Sequence, residues 1–274
     1  MTRETAKKKE KPEEKTAIVV EEAVEVKEKL EGIEEVPDQQ SLWKPVTELG
    51  RKVQKGEVGN VDDFFDAGYR IMEAGITDTL LPSLDEELLL VGQAHGKFGG
   101  GQRRIFKQTQ KKTAEGNKPN FMTCAVIGNK DGFVGLGVGN SKETVPSRDK
   151  AKRNAKLNMI RIRRGCGSWE CNCRQPHSIP FAVTGKSGSV EITLIPAPKG
   201  KGLCAEKECA KILTLAGIKD IWTKTDGQTG TKLNLAQATL KALKKLSDVK
   251  VSPENIQKLG IIEGKLKETK VEQE

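Results

Sequence analysis

Apolar positions begin to recur with structural periods only after about residue 40. Before that, Val20 to Leu30 offers one marginal helical stretch, and residues 1–40 carry eight Lys/Arg and twelve Asp/Glu with few large apolar side chains. This composition reads as a disordered, mildly acidic tail. Residues 41–85 read as an ordered extension of short helices. Thr47 is placed to cap one that carries Leu49 and Val53, Asp62–Ala67 forms a second anchored by Phe64 and Phe65, and Thr77–Leu81 a third, stopped by Pro82. From Glu86 the period becomes strand-like. Leu88–Val91 is an apolar run, a loop follows over Gly92–Gly101, Gln102–Thr109 alternates around Ile105 and Phe106, and Phe121–Ile127 and Phe133–Val138 flank Asn129-Lys130-Asp131-Gly132, a hairpin signal. A helix over Val145–Ile162 sets Ala151, Ala155, Met159 and Ile162 on one face and Arg148, Lys152 and Lys156 on another. Residues 86–163 thus form one small domain of strands closed by a helix.

A turn-rich connector occupies 164–180. Strands at Phe181–Thr184 and Val190–Ile195, a helix at Glu206–Ala216, a strand at Ile218–Thr225 and an amphipathic helix at Leu233–Leu246 then give a second small domain over 181–250, in the order β-β-α-β-α. Residues 251–274 read as a C-terminal tail, charged beyond Gly264. The fold class is α+β.

Charge sharpens this picture. Of 274 residues, the window from Lys97 to Arg174 holds eighteen Lys/Arg against five Asp/Glu, a net of +13, while the rest of the chain nets −4. Charge confined to one folded segment is an electrostatic footprint, and its commonest partner is a phosphate backbone. Aromatic residues make up only 4% of the chain, which disfavours a surface of base-stacking platforms and favours backbone and shape recognition. Nothing resembles a signal peptide or a membrane span. Six cysteines without a secretion signal point to a reducing compartment, where thiols or metal ligands outnumber disulfides.

Candidate chemistry follows from four segments. Gly99-Gly100-Gly101 ahead of Arg103 and Arg104 lets backbone amides and two guanidiniums approach one phosphate; the alternative is a turn that needs glycine for its geometry. The glycines of Gly135-Leu136-Gly137-Val138-Gly139 alternate inside a strand, so they serve close packing rather than a dinucleotide. Thr184-Gly185-Lys186-Ser187 looks like the end of a phosphate-binding loop, but Pro180 stands where the first glycine is required and the segment joins two strands. Cys166, Cys171, Cys173 and His177 fall within twelve residues and offer a donor set suited to one structural zinc, with unliganded thiols or a redox pair as the alternatives. Cys204 and Cys209 read as packed thiols and Cys124 as core. No catalytic arrangement has recognisable spacing.

Several ordered segments resemble the universal small-subunit ribosomal protein five family, and Trp43–Leu90 with the cysteine connector resemble its archaeal form. The former are Phe121–Asn140, the basic helix after Val145, Pro176-His177-Ser178-Ile179-Pro180, Val183–Gly188, Leu194–Gly202 and Leu215-Ala216-Gly217-Ile218. The resemblance implies a double-stranded-RNA-binding-like first domain and a second α+β domain with a left-handed βαβ crossover. It implies a cytoplasmic, non-catalytic, rRNA-binding protein of the small subunit, tied to subunit assembly and decoding accuracy. Its expected surroundings are the site where mRNA enters and ribosomal proteins four and eight, with no membrane and no small-molecule substrate. A free-standing double-stranded-RNA-binding module is the alternative. Candidate rRNA contacts are Lys97, Gly99, Gly100, Gly101, Arg103, Arg104, Lys107, Lys111, Lys112, Arg148, Lys152, Arg153, Lys156, Arg163 and Arg164. Family members that lack these cysteines keep the Pro-His pair, which gives His177 a structural role as its alternative.

Overall fold

A computed structural model of the protein describes residues 43–94, 101 and 103–265. The tail reading for 1–40 and most of the glycine loop fall outside the described residues. Three short helices come first: α1 (Glu48–Gln54), α2 (Val61–Asp66) and α3 (Ala74–Leu80). Thr47 caps α1, its hydroxyl oxygen accepting the Gly50 N–H at 3.1 Å. Phe64 is buried, and Phe65 stacks on Phe133 of the first sheet with centroids 5.8 Å apart. Thr77 donates its hydroxyl to the Lys156 carbonyl at 3.1 Å. The extension is therefore docked on the chain's own first domain.

That domain is an antiparallel sheet of β1 (Asp85–Leu88), β2 (Lys107–Thr113), β3 (Gly116–Gly128), β4 (Phe133–Ser141) and β5 (Met159–Arg161), in the order β1-β3-β4-β5 with β2 also on β3. The hairpin between β3 and β4 turns at Asn129, whose side-chain oxygen accepts the N–H groups of Asp131 and Phe133. Helix α4 (Thr144–Leu157) crosses the sheet over the glycine stripe of β4. A Cβ at Gly137 would lie 2.1 Å from the Ala155 nitrogen and 2.2 Å from the Ala151 oxygen. Gly135 and Gly139 meet the helix backbone equally closely. The alternating glycines serve helix–sheet contact, as their position inside a strand indicates.

Three expectations need correction. The helix drawn over Val145–Ile162 ends at Leu157, and Met159, placed on its apolar face with Ile162, instead opens β5, whose strand pairing to β4 overrides the helical period. The strand placed at Gln102–Thr109 is instead Lys107–Thr113, which turns at Ala114–Glu115 and returns as β3 from Gly116. Both faces of this hairpin meet water, so it carries no apolar alternation by which to be found. The tail expected over 251–274 contains α7 (Pro253–Leu259) and β11 (Ile262–Glu263), which pairs antiparallel with β6 (Arg163–Arg164). Too few apolar residues lie there to show a period; order comes from strand pairing and from ion pairs to β6.

The second domain orders its sheet β7-β8-β10-β9, from β7 (Val183–Ser187), β8 (Val190–Pro196), β9 (Leu203–Cys204) and β10 (Ile221–Asp226). Between β9 and β10 runs α5 (Lys207–Leu215), and because those strands are parallel this is a βαβ crossover. Helix α6 (Lys232–Asp248) lies on β7, where a Cβ at Gly185 would sit 2.1 Å from the Ala238 oxygen. The Thr184–Ser187 segment is thus a packed strand, with no phosphate loop. One apolar cluster runs through both domains, joining Val134, Leu136 and Ile162 to Ile212, Leu215 and Leu243. The Asn129–Gly132 turn is held to the end of α5 by the Lys130 N–H, which donates to the Leu215 carbonyl at 2.9 Å.

Gly137→Ala should cost about 3 kcal/mol of unfolding free energy, since backbone rather than a flexible side chain blocks the new methyl. Gly59→Ala, with open space around it, should change stability by less than about 0.5 kcal/mol. Urea unfolding of the two variants measures the difference, and equal effects would show that the stripe does not set the helix position.

Candidate nucleic-acid interface

The structure sorts the predicted cations into two populations. Arg163 and Arg164 are buried at 8% and 3% exposure. Arg163 donates from Nε to Glu263 at 2.6 Å and from Nη1 to the Val249 carbonyl at 2.5 Å. Arg164 donates from Nη2 to Asp131 at 2.6 Å and to the Gly264 carbonyl at 2.9 Å. Both guanidiniums hold the C-terminal segment against the first domain, and their expected place on the RNA-facing surface is corrected accordingly. The stripe on α4 is partly internal as well. Lys152 pairs with Glu86, and Lys156 pairs with Asp78 of α3 at 2.6 Å. Arg148 lies 4.8 Å above the Phe106 ring centroid with its Nε buried and unpartnered.

The other population faces water. Arg104, Lys107, Lys111, Lys112 and Arg153 are exposed, with Gly101 and Arg103 half-buried beside them. Lys97, Gly99 and Gly100 lie outside the described residues. The loop they belong to is closed at its root by the Gly92 N–H, which donates to the Arg104 carbonyl at 2.8 Å, and by a bridge between Ala94 and Arg103. Exposed Lys118, Lys142 and Lys150 join this population; the strand boundary drawn from sequence left Lys118 in an unassigned stretch.

Two clefts meet at the loop root. One, of about 320 Å³, is lined by Arg104, Phe106, Gln108, Phe121 and Thr144, the first residue of α4. The second, of about 340 Å³, is lined by Arg103, Lys107 and Lys232 from the first turn of α6. They share Gln93 and Ala94. Loop root, β2 and the N-terminal ends of two helices therefore converge on one side of the molecule. Lys232 is already paired with Glu206 at 2.9 Å, so the helix N-termini with Arg103, Arg104 and Lys107 are the groups there that favour anionic oxygens.

The connector carries a second site. The donor atoms of Cys166, Cys171, Cys173 and His177 all lie within 4.8 Å of one another. Cys171 Sγ is 3.8 Å from His177 Nε2, on the order of one edge of a tetrahedral zinc site. His177 Nδ1 meets Asp220 Oδ2 at 2.9 Å, which directs the Nε2 lone pair toward the thiols. The other Asp220 oxygen accepts the N–H groups of Gly200 and Gly202 at 3.0 and 2.8 Å. Burial pushes the Cys166 thiol up to about 11, whereas the backbone N–H of Lys199 draws Cys171 down to about 6, favouring a thiolate. Three sulfurs, one oriented imidazole and a buried supporting carboxylate fit one tetrahedral zinc. The remaining cysteines lie elsewhere: Cys124 and Cys209 are buried and Cys204 is exposed. Asp220 had no sequence signal, being 43 residues from its partner.

Arg164→Gln should lower unfolding stability by about 3 kcal/mol, because the buried guanidinium's bonds to Asp131 and to the Gly264 carbonyl are lost together. Chemical denaturation reads this directly, and a change below about 0.5 kcal/mol would place the pair among weak surface contacts.

Comparison with known proteins agrees with this architecture. The family model for the N-terminal domain of ribosomal protein S5 matches residues 105–163, and that for its C-terminal domain matches residues 185–258. "Small ribosomal subunit protein uS5" of Nanoarchaeum equitans is 48% identical over 224 residues, covering 82% of this chain and 96% of the relative. The protein of that name from Pyrobaculum aerophilum is 48% identical over 204 residues, covering 74% and 87%. That of Methanothermobacter thermautotrophicus is 46% identical over 219 residues, covering 80% and 94%. With both domain models matched in order and relatives matched along nearly their whole length, the chain belongs to the ribosomal protein S5 family.

Proposed function

We propose that this protein is a structural constituent of the small ribosomal subunit that binds its rRNA through the exposed cations of the first domain. The observation that carries the reading is their convergence: Arg104, Lys107 and the N-terminal ends of α4 and α6 share one side, where no acidic side chain among the described residues lines either cleft. Phosphates supply the counter-charge. The binding is expected to follow RNA shape and backbone, since the cations sit on a ribbon and a helix with few aromatics beside them. Family membership supports a place in the assembled subunit over a free-standing duplex-binding module. The segments that resemble the family are also the support for a position where mRNA enters, beside ribosomal proteins four and eight, and for a role in assembly and decoding accuracy.

We also infer one structural zinc held by Cys166, Cys171, Cys173 and His177. It would fix the connector to the Gly200–Gly202 loop through His177 and Asp220. A closed four-ligand site contributes folding energy and takes no part in chemistry.

The wild-type protein should remain with small subunits in a high-salt sucrose gradient, and its appearance only in the free fractions would overturn the proposal. Replacing both Arg104 and Arg153 by Gln should reduce the salt dependence of rRNA binding by about two units of log slope, since each phosphate contact releases close to one counterion. Arg163→Gln should leave that slope unchanged. For the zinc site, elemental analysis of protein purified under reducing conditions should give one equivalent. Asp220→Asn should weaken zinc retention against a chelator by about tenfold or more. Less than about a tenth of an equivalent in the wild type would return the cluster to free thiols.

A further inference from the structure

The hairpin Lys107–Asn120 is built unlike the rest of the molecule. Twelve of its fourteen residues lie in the paired strands, and every described side chain except the half-buried Thr113 is exposed, on both faces. Strand β3 makes the change within one element: its first five residues are exposed and its last six are buried. At roughly 3.3 Å per residue the seven residues of β2 form about 20 Å of two-stranded ribbon. Such a ribbon without a covered face is marginal in water.

Its composition makes that worse. Between Lys107 and Asn120 the only residues without a polar side chain are Ala114, Gly116 and Pro119. Lys111 pairs directly across from Lys118, so two like charges stand side by side on one face, which also carries Lys107, Thr109 and Asn120. The opposite face carries Lys112, Gln108, Gln110 and Asn117. Four lysines face a single acid, Glu115, which pairs with Lys118 at 2.8 Å across the turn. The root, by contrast, is anchored: Phe106 sits edge-on to Phe121 at 6.4 Å, beneath the Arg148 guanidinium.

A firmly rooted ribbon with no apolar face, lysines on both sides and hydrogen-bonding amides between them suits a partner that offers phosphates in two directions. Resting on the rRNA-binding reading above, we propose that residues 107–120 form an arm that inserts between two rRNA backbones, so that both faces are covered in the assembled subunit. Each face then places a cation and amide side chains against phosphate and sugar oxygens. Glu115 offsets one charge of the Lys111–Lys118 pair, and phosphates laid over the two lysines would offset the other. A ribbon laid on a flat surface would leave one face in water, and a protein partner would have to bring acidic side chains to both faces, whereas two RNA backbones carry the counter-charge along their whole length.

The test places a photoreactive diazirine amino acid at Thr109 on one face and, in a second protein, at Gln110 on the other. Each full-length variant is assembled into small subunits, recovered from the gradient and irradiated. Insertion predicts rRNA crosslinks from both positions, mapping to two separate stretches of the RNA. Lys111→Gln combined with Lys118→Gln should lower the salt slope for binding to transcribed small-subunit rRNA by about two units. Crosslinks from one face only, crosslinks to protein, or none from either face would each overturn insertion. Failure of the unmodified protein to enter the subunit would instead overturn the function proposed above, so the two outcomes remain separate.

Discussion

Helix α4 lies on its sheet with no side chain between the two backbones at Gly135, Gly137 and Gly139. Much of the first domain depends on that contact. It fixes the rotation of the helix, turning Ala151 and Ala155 inward and leaving Arg153 in water. It also sets the helix depth at which Lys152 reaches Glu86 of β1 and Lys156 reaches Asp78 of the N-terminal extension. A polar seam marks the same interface: the hydroxyls of Ser147 and Thr123 meet at 2.8 Å, and Asn154 donates to the Val138 carbonyl at 2.7 Å. Close approach and paired polar groups together make one register of helix on sheet far better than its neighbours.

The domain order and most elements were legible in the sequence because each buries one face against a core and so leaves a period behind. The helix bearing Ala151 and Ala155, the hairpin at Asn129–Gly132 and the amphipathic α6 are of this kind. The ribbon was not legible, since water on both sides removes the alternation that identifies a strand. The C-terminal strand was missed because two residues make no pattern. The cysteine cluster was readable from spacing alone, whereas Asp220, which orients His177, is local only in space.

The same distinction explains the basic window. A sequence shows how many cations a segment holds but not which acids fold back onto them. Arg163 and Arg164 read as surface charge from their neighbours, yet Glu263 and the Gly264 carbonyl reach them from 100 residues away. Lys156 is likewise committed to Asp78. Part of the positive charge therefore maintains the fold, and the exposed part remains for a polyanion. Removing a committed cation and removing an exposed one are different experiments, although they change the net charge equally.

The closure of Arg163 and Arg164 by the last strand bears on how the chain is made. Their partners at Glu263 and Gly264 are translated 100 residues after them, an interval of roughly 5–20 s at ordinary elongation rates. During that time the first sheet and its helix can form, since the strand pairing is encoded by residue 161. The two arginines meanwhile stay hydrated and unsealed. Domain one is thus completed last, by the end of the chain, and a ribosome that stalls before residue 263 carries a nascent protein whose first domain is built but not locked.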